Sequence, residues 1–410
     1  MSVQKYPGRV LSKTPPTITP PVDGEGGSAP GVWTLSEALE NEKAGTWPKP
    51  VLPRELYTWG DGTQGILGQS DTNINYSSPT QVGALVNWLQ ASVGNQFAGA
   101  VKLDNTLWTW GRASGGKLGH NNGTYLSSPV QVGSLTNWSQ LGTGGGNCAA
   151  IKTDGTLWTW GNGYRGAIGN SLQNDVSSPI QVGALSNWAK VSLTPNNYTV
   201  AAIQTNGTLW TWGSTSYSYG ELGHNDRIAR SSPTQVGSLT TWYQVSMGSG
   251  FCGAIKTDGT LWMWGNGNTG KLGLNLSSGN RSSPVQVGAL TNWSQVQTCS
   301  GFTAAVKTDG TLWVWGSSGN GRTGTNNLTT YSSPVQIGAL TDWAQVTTTN
   351  AGAAAIKTDG TLWAWGENGD GTLGDDTVIT RSSPVQIGAA TNWSSVSGNL
   401  GGTLAAITKG

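Results

Sequence analysis

The sequence predicts an all-β fold: a seven-bladed β-propeller of four-stranded antiparallel blades with 2+2 strand closure, preceded by an extended N-terminal arm with one short helix. Three recurring landmarks predict it. Trp-Gly occurs with Trp at 59, 110, 160, 212, 264, 315 and 365. Ser-Ser-Pro recurs with its proline at 79, 129, 179, 233, 284, 334 and 384. A third tryptophan stands nine residues after each proline, at 88, 138, 188, 242, 293, 343 and 393. A fixed period shared by independent landmarks marks an array of equal structural units.

The unit that begins at Trp293 shows the elements in order. Four short strand candidates are separated by turn signals. The first is 293–297 and the second 303–307. Asp309-Gly310 is expected to form a two-residue hairpin turn, because glycine tolerates the positive φ such turns need. The third strand is 311–315, and a Gly/Asn/Thr-rich loop leads to the fourth, 334–337. A proline opening that strand suits a sheet edge, where its missing N–H breaks no ladder. Four antiparallel strands per unit, repeated seven times, describe propeller blades.

The chain ends require a closure. The first unit starts on a third strand, Leu56 to Gly60, with no partner before it. The last unit stops at Ala405 to Gly410, where its second strand should enter the hairpin. Strands within 56–82 and 393–410 are therefore expected to assemble one composite blade, which removes edges that invite aggregation. The domains read as an arm, 1–55, and a propeller, 56–410.

Trp313 and Trp315 lie i and i+2 and so project from one face of their strand, with Leu312 and Val314 on the other. Packing between blades is the expected role of such regular tryptophans. Each buried one stabilises by about 4–6 kcal/mol as an upper bound. Sugar stacking on exposed indoles is the functional alternative.

Composition narrows the function. The 410 residues include 62 glycines and 22 tryptophans, while only 10% are charged, against about 25% in average soluble proteins. So much aromatic surface excludes a chain too polar to fold. A formal net charge of +1, with no long basic run, argues against holding nucleic acid by bulk electrostatics. No apolar stretch reaches membrane-spanning length, and Met1 to Pro21 lacks the apolar core of a signal peptide. Three cysteines make no disulfide framework. The expectation is a soluble protein made in a reducing compartment.

The string AIKTDGTLWTWGNGYRGAIGN, continuing to SSPIQVG, closely resembles the repeat of the regulator of chromosome condensation family, in particular its prokaryotic form with Asp-Gly-Thr-Leu-Trp-x-Trp-Gly. The resemblance covers about 56–410 and implies a seven-bladed propeller. The family includes a nucleotide exchange factor for a small GTPase and a secreted β-lactamase inhibitor, so it implies fold and leaves function open.

In an antiparallel meander, alternate connections emerge at opposite ends. The Thr-Asp-Gly turn and the Gly-Ala-Leu-Thr-Asn link must share one face, and both hardly change between copies. The loops between first and second and between third and fourth strands share the other face, and these differ. Relaxed constraint explains that divergence as well as partner binding does. If the face binds a partner, Phe97, Tyr164, Tyr198, Tyr217, Tyr219, Phe251 and Phe302 are the expected contacts.

In the arm, Pro15-Pro16, Pro20-Pro21 and Gly24 to Gly31 favour extended chain. Thr34 with Glu37 forms a capping box, Leu35, Ala38 and Leu39 an apolar stripe, and Gly45 and Pro48 a stop. A helix near 35–44 follows. Trp-Thr-Leu-Ser-Glu followed by Gly-Thr-Trp-Pro resembles short segments of bacteriophage virion and tail proteins, which implies an anchoring arm with Trp33, Leu35, Leu39 and Trp47 as contacts. A linker that caps the propeller is the alternative.

Catalytic chemistry is not visible. His120 and His224 share one repeat position, where a loop role is expected over a metal site. Cys148 and Cys252 are repeat-equivalent and two blades apart, beyond disulfide reach. Glu367 to Gly371 faintly suggests calcium ligands but lacks the terminal bidentate carboxylate. No cofactor and no metal are expected. The function expected is a non-enzymatic bacteriophage virion structural protein, tail- or fibre-associated, recognising a host surface protein or glycan through the variable face. Its partners would be other virion proteins held by the arm, with no nucleic acid and no membrane insertion, and its location the virion, assembled in the host cytoplasm. A capsid decoration protein, or a regulatory or enzyme-inhibiting propeller, is the alternative.

Overall fold

Twenty-eight strands form seven four-stranded antiparallel sheets in the computed structural model, which describes residues 39–41, 43, 53–195, 198–214 and 219–410. Six sheets are continuous in sequence. The seventh is composite, with strands in the order Tyr76–Val86, Glu55–Gly60, Thr403–Thr408 and Trp393–Gly398. Leu56 lies opposite Ile407 and Gly60 opposite Thr403, and the Glu55 N–H donates to the Thr408 hydroxyl at 2.9 Å. The expected 2+2 closure is present. Its outer strand runs beyond residue 82 to Val86, because Glu55 finds Val86 opposite.

Residues 54–409 form one compact unit. In the preceding segment, residues 39–41 and 43 are helical, inside the helix expected at 35–44, and Leu39 is exposed. Trp33, Leu35 and Trp47 lie outside the described residues.

The unit at 293 shows why these residues make blades. Its strands are Trp293–Thr298, Phe302–Lys307, Leu312–Gly316 and Tyr331–Gln336. The hairpin differs from the two-residue turn expected. Lys307 N–H donates to Thr311 O and Gly310 N–H to Lys307 O, leaving a three-residue loop with Gly310 at φ 75°, the type I turn followed by a left-handed residue. The Asp309 carboxylate fixes this form by accepting from the Thr311 N–H at 3.0 Å and its hydroxyl at 2.6 Å. A Cβ on Gly310 would stand 2.1 Å from Thr341 O in the link to the next blade. Turn and link therefore share one face, as the sequence required.

The outer strand begins three residues earlier than expected. Gly316 pairs with Tyr331 and Val314 with Val335, so Ser332-Ser333-Pro334 bulges out of the ladder. The bulge is where the preceding blade docks: Asn275 N–H donates to Ser332 O at 2.8 Å. The same bond closes the ring, from Asp376 N–H to Ser77 O. Proline belongs here because a bulged edge residue owes no ladder bond.

The core lies between blades, in seven buried clusters among the described residues. Leu312 and Val314 pack towards the following blade with Trp343 and Trp365. Trp315 packs towards the preceding one with Phe251 and Met263, and its indole N–H donates to Lys271 O there at 2.9 Å. Across the closing seam, Trp59 N–H reaches Thr372 O at 3.0 Å. Gly374 is required beside it, since a Cβ there would stand 2.6 Å from the Trp59 ring nitrogen. Structural tryptophans are thus the correct reading for this position.

The innermost strands surround an axial cavity of about 290 Å³. Each presents an edge to its neighbour, and in five of the seven strands a glutamine satisfies it, Gln90, Gln140, Gln244, Gln295 and Gln345. Gln244 donates to Val296 O at 3.1 Å and accepts from Val296 N–H at 2.9 Å. Gln90 does the same for Leu141 and Gln345 for Val396. The glutamine two residues after the recurring tryptophan is therefore an inter-blade stitch.

Candidate functional site

Three expected contacts are corrected by burial. Phe97, Phe251 and Phe302 are wholly inaccessible, because each opens a second strand whose side chain turns between blades. Two of them are roofed by lysines. Lys117 Nζ lies 4.7 Å from the Phe97 ring centre and donates to Asn95 O at 2.8 Å. Lys271 Nζ lies 4.9 Å from Phe251 and donates to Ser300 O at 3.1 Å. Burial lowers both ammonium pKa values to about 8, since desolvation penalises the charged form. These lysines were missed in the sequence. Their signal was the variable position two residues before the glycine in each loop: Ile66, Lys117, Ala167, Glu221, Lys271, Arg322 and Thr372.

The tyrosines behave differently. Tyr164, on the third-to-fourth-strand loop of its blade, is 48% exposed. It meets half-buried Tyr198 of the next blade edge-on, with centroids 5.1 Å apart at 76°. The Arg165 guanidinium stands 5.2 Å from the Tyr164 ring. Half-buried Tyr219 lies at the following seam, where a Cβ on Gly250 would come within 2.9 Å of its ring. Tyr217 falls outside the described residues. The variable face thus carries an aromatic arc that crosses two seams.

Acidic groups occupy another sector of the same face. Glu367 and Asp370 line a cleft of about 150 Å³ with Thr349, Leu400 and Gly402. Asn320 donates to Glu367 at 2.9 Å and Asn75 to Asp370 at 3.1 Å, so the carboxylates are fixed by neighbouring blades. Asn368 beside them is buried and holds the loop together, donating to Asp375 and to Thr377 O and accepting from Leu373 N–H. These bonds fix the shape of the loop.

His120 and His224 pair with Thr109 and Thr211 at 3.0 and 2.9 Å, and burial lowers both imidazole pKa values. They anchor loops to their own third strands. Cys148, Cys252 and Cys299 are buried free thiols, each pushed up by desolvation, Cys299 to about 12, which suppresses thiolate reactivity. No cluster of three metal-ligating side chains occurs among the described residues, and no helix there is long and apolar enough to cross a membrane.

The family model for the regulator of chromosome condensation (RCC1) repeat matches residues 55–101, 154–195, 206–255, 258–306 and 359–405, more than half of the chain. The sequence is 27% identical over 280 residues to the E3 ubiquitin-protein ligase HERC2 of Homo sapiens, covering 66% of this chain and 5% of that protein. It is 31% identical over 141 residues to the mitochondrial RCC1 domain-containing protein RUG3 of Arabidopsis thaliana, covering 33% of this chain and 31% of that one. The matched stretches are thus a minor part of both relatives. Among solved structures, Prp20p of Saccharomyces cerevisiae, described with its binding properties to Gsp1p and histones, superposes with a TM-score of 0.76 at 17% identity, over 87% of this chain and 92% of that one. That likeness shows the fold.

Proposed function

The chain belongs to the regulator of chromosome condensation repeat family, and from that premise we propose that it is a non-enzymatic, protein-binding propeller that recognises its partner through the variable face. The observation that carries this reading is the arc of Tyr164, Arg165, Tyr198 and Tyr219. Amphipathic rings and an arginine, held on loops by a rigid scaffold, are the groups that dominate protein interfaces. The yeast relative in fold is described as binding proteins, which agrees with such a role. The acidic sector at Glu367 and Asp370 gives the face a polarity that orients a partner.

A double variant tests this. Tyr164→Ala/Tyr198→Ala should retain at least 90% less of the partner captured by the wild-type chain, a loss of about 1.4 kcal/mol or more. Leu290→Ser, an exposed link residue on the opposite face, should retain it fully. Equal capture by wild type and double variant overturns the reading. Residence in a bacteriophage particle is a second reading, supported by the resemblance of the 33–48 segment. Purified particles devoid of the chain would exclude it.

A further inference from the structure

Five blades share a device whose absence from the composite blade leaves a cleft. At the end of the second strand, a lysine ammonium lies over two tryptophan rings. Lys307 Nζ is 4.8 Å from Trp293 and 3.6 Å from Trp313. Lys152, Lys256 and Lys357 sit 3.7, 3.7 and 4.4 Å from the equivalent third-strand rings, and Lys102 5.7 Å. In the composite blade that register position is Thr408, opposite Trp393 as Lys307 is opposite Trp293. The rings remain. Tyr57 and Trp393 meet edge-on at 5.2 Å and 81°, much as Trp293 and Trp313 do at 6.0 Å and 77°.

A second truncation coincides with the first. The link residue here is Ala390, where the other six links carry Leu85, Leu135, Leu185, Leu239, Leu290 and Leu340. Together these changes leave a cleft of about 440 Å³ lined by Tyr57, Trp393, Thr408, Ala390, Asp375 and Asp376. Its floor is buried at Trp393 and Thr408, while Ala390 and Asp376 are exposed at the rim. Asp375 is engaged by Arg381 at 2.9 Å. The chain's adjacent Lys409 points elsewhere: its Nζ stands 3.0 Å from where a Cβ on Gly360 would be. The fourth blade, which also lacks the lysine, fills the position with Gln204, bonded to Thr208 and Asn187.

We propose that this seam cleft binds a lysine side chain presented by a partner protein, seating its ammonium over Tyr57 and Trp393 as the chain's own lysines are seated in five other blades. Ring faces attract a cation by their quadrupole, and the exposed carboxylate of Asp376 adds the complementary charge. The site is separate from the tyrosine arc, and either can fail without the other.

The test uses the full chain and two small probes, Nα-acetyl-lysine methylamide and its uncharged isostere Nα-acetyl-norleucine methylamide, titrated by ligand-observed NMR. The lysine probe should bind about tenfold more tightly than the norleucine probe, the discrimination a partly desolvated cation–π contact supplies. Thr408→Lys, which restores the repeat residue, should abolish lysine-probe binding, and the exposed Asp376→Asn should weaken it. Equal binding of both probes to the wild-type chain overturns the proposal whatever the variants do. So does undiminished lysine-probe binding by a folded Thr408→Lys chain.

Discussion

Lys117 and Phe97 show how a single position decides what a surface can do. Aromatic residues at the start of a second strand looked like contacts because the loop before them varies. A lysine from the neighbouring loop covers Phe97 and another covers Phe251, so the ring is spent on packing. The sequence could not reveal this, since the covering residue lies 20 positions away for both pairs. The two lysines carry a pH signature. Their pKa is about 8 when folded and 10.5 by ordinary value. Between those limits the unfolded chain binds more protons, so stability should rise with pH. We expect the urea midpoint of the wild-type chain to gain on that of Lys117→Met/Lys271→Met from pH 8 to 10.5, at no more than about 1.4 kcal/mol per pH unit per lysine. Parallel midpoints across that range would contradict it.

At the level of strands, the blade is legible because its turn chemistry and alternation repeat. Asp-Gly located four of the hairpins, at Asp154, Asp258, Asp309 and Asp359, while Asp104-Asn105 and Asn206-Gly207 stand at the two others. Each loop is one residue longer than expected, because the Asp or Asn side chain captures the threonine two residues on. The Ser-Ser-Pro landmark marked the outer strand, and its bulge emerged only with the docking of the preceding loop. The inner strands depend on glutamine stitches. Gln244→Leu removes both partners of the Val296 backbone groups, and unpaired buried groups cost about 1–3 kcal/mol each. A fall of that order in unfolding free energy is expected, with the m-value unchanged. The chain contains its own comparison: Lys190 takes this position in the fourth blade and lies 3.7 Å over the Tyr243 ring of the next blade instead.

For the whole molecule, closure governs stability. The middle of the composite blade is held by pairing of Leu56 with Ile407 and its neighbours, and by Trp59, whose indole enters the cluster of Leu362, Leu373 and Trp393. Ending the chain at Gly402 would strip one inner strand and expose two edges. Such a chain should lose its single cooperative melt and elute as aggregates in size-exclusion chromatography. A monomer with unchanged Tm would show that the seam contributes little. The same seam is the one place where the repeat is spliced from two chain ends, and the one described here with both a missing lysine and a shortened link residue over an intact ring pair.

The sequence by itself determined the blade count, the strand order, the composite closure and the face whose turns and links repeat from blade to blade, because each follows from periodicity and from backbone groups that must find partners. Only the tertiary structure decided which aromatics are surface and which are core, and where a cleft opens. Those outcomes depend on side chains arriving from a neighbouring blade, at distances along the chain that no local pattern records.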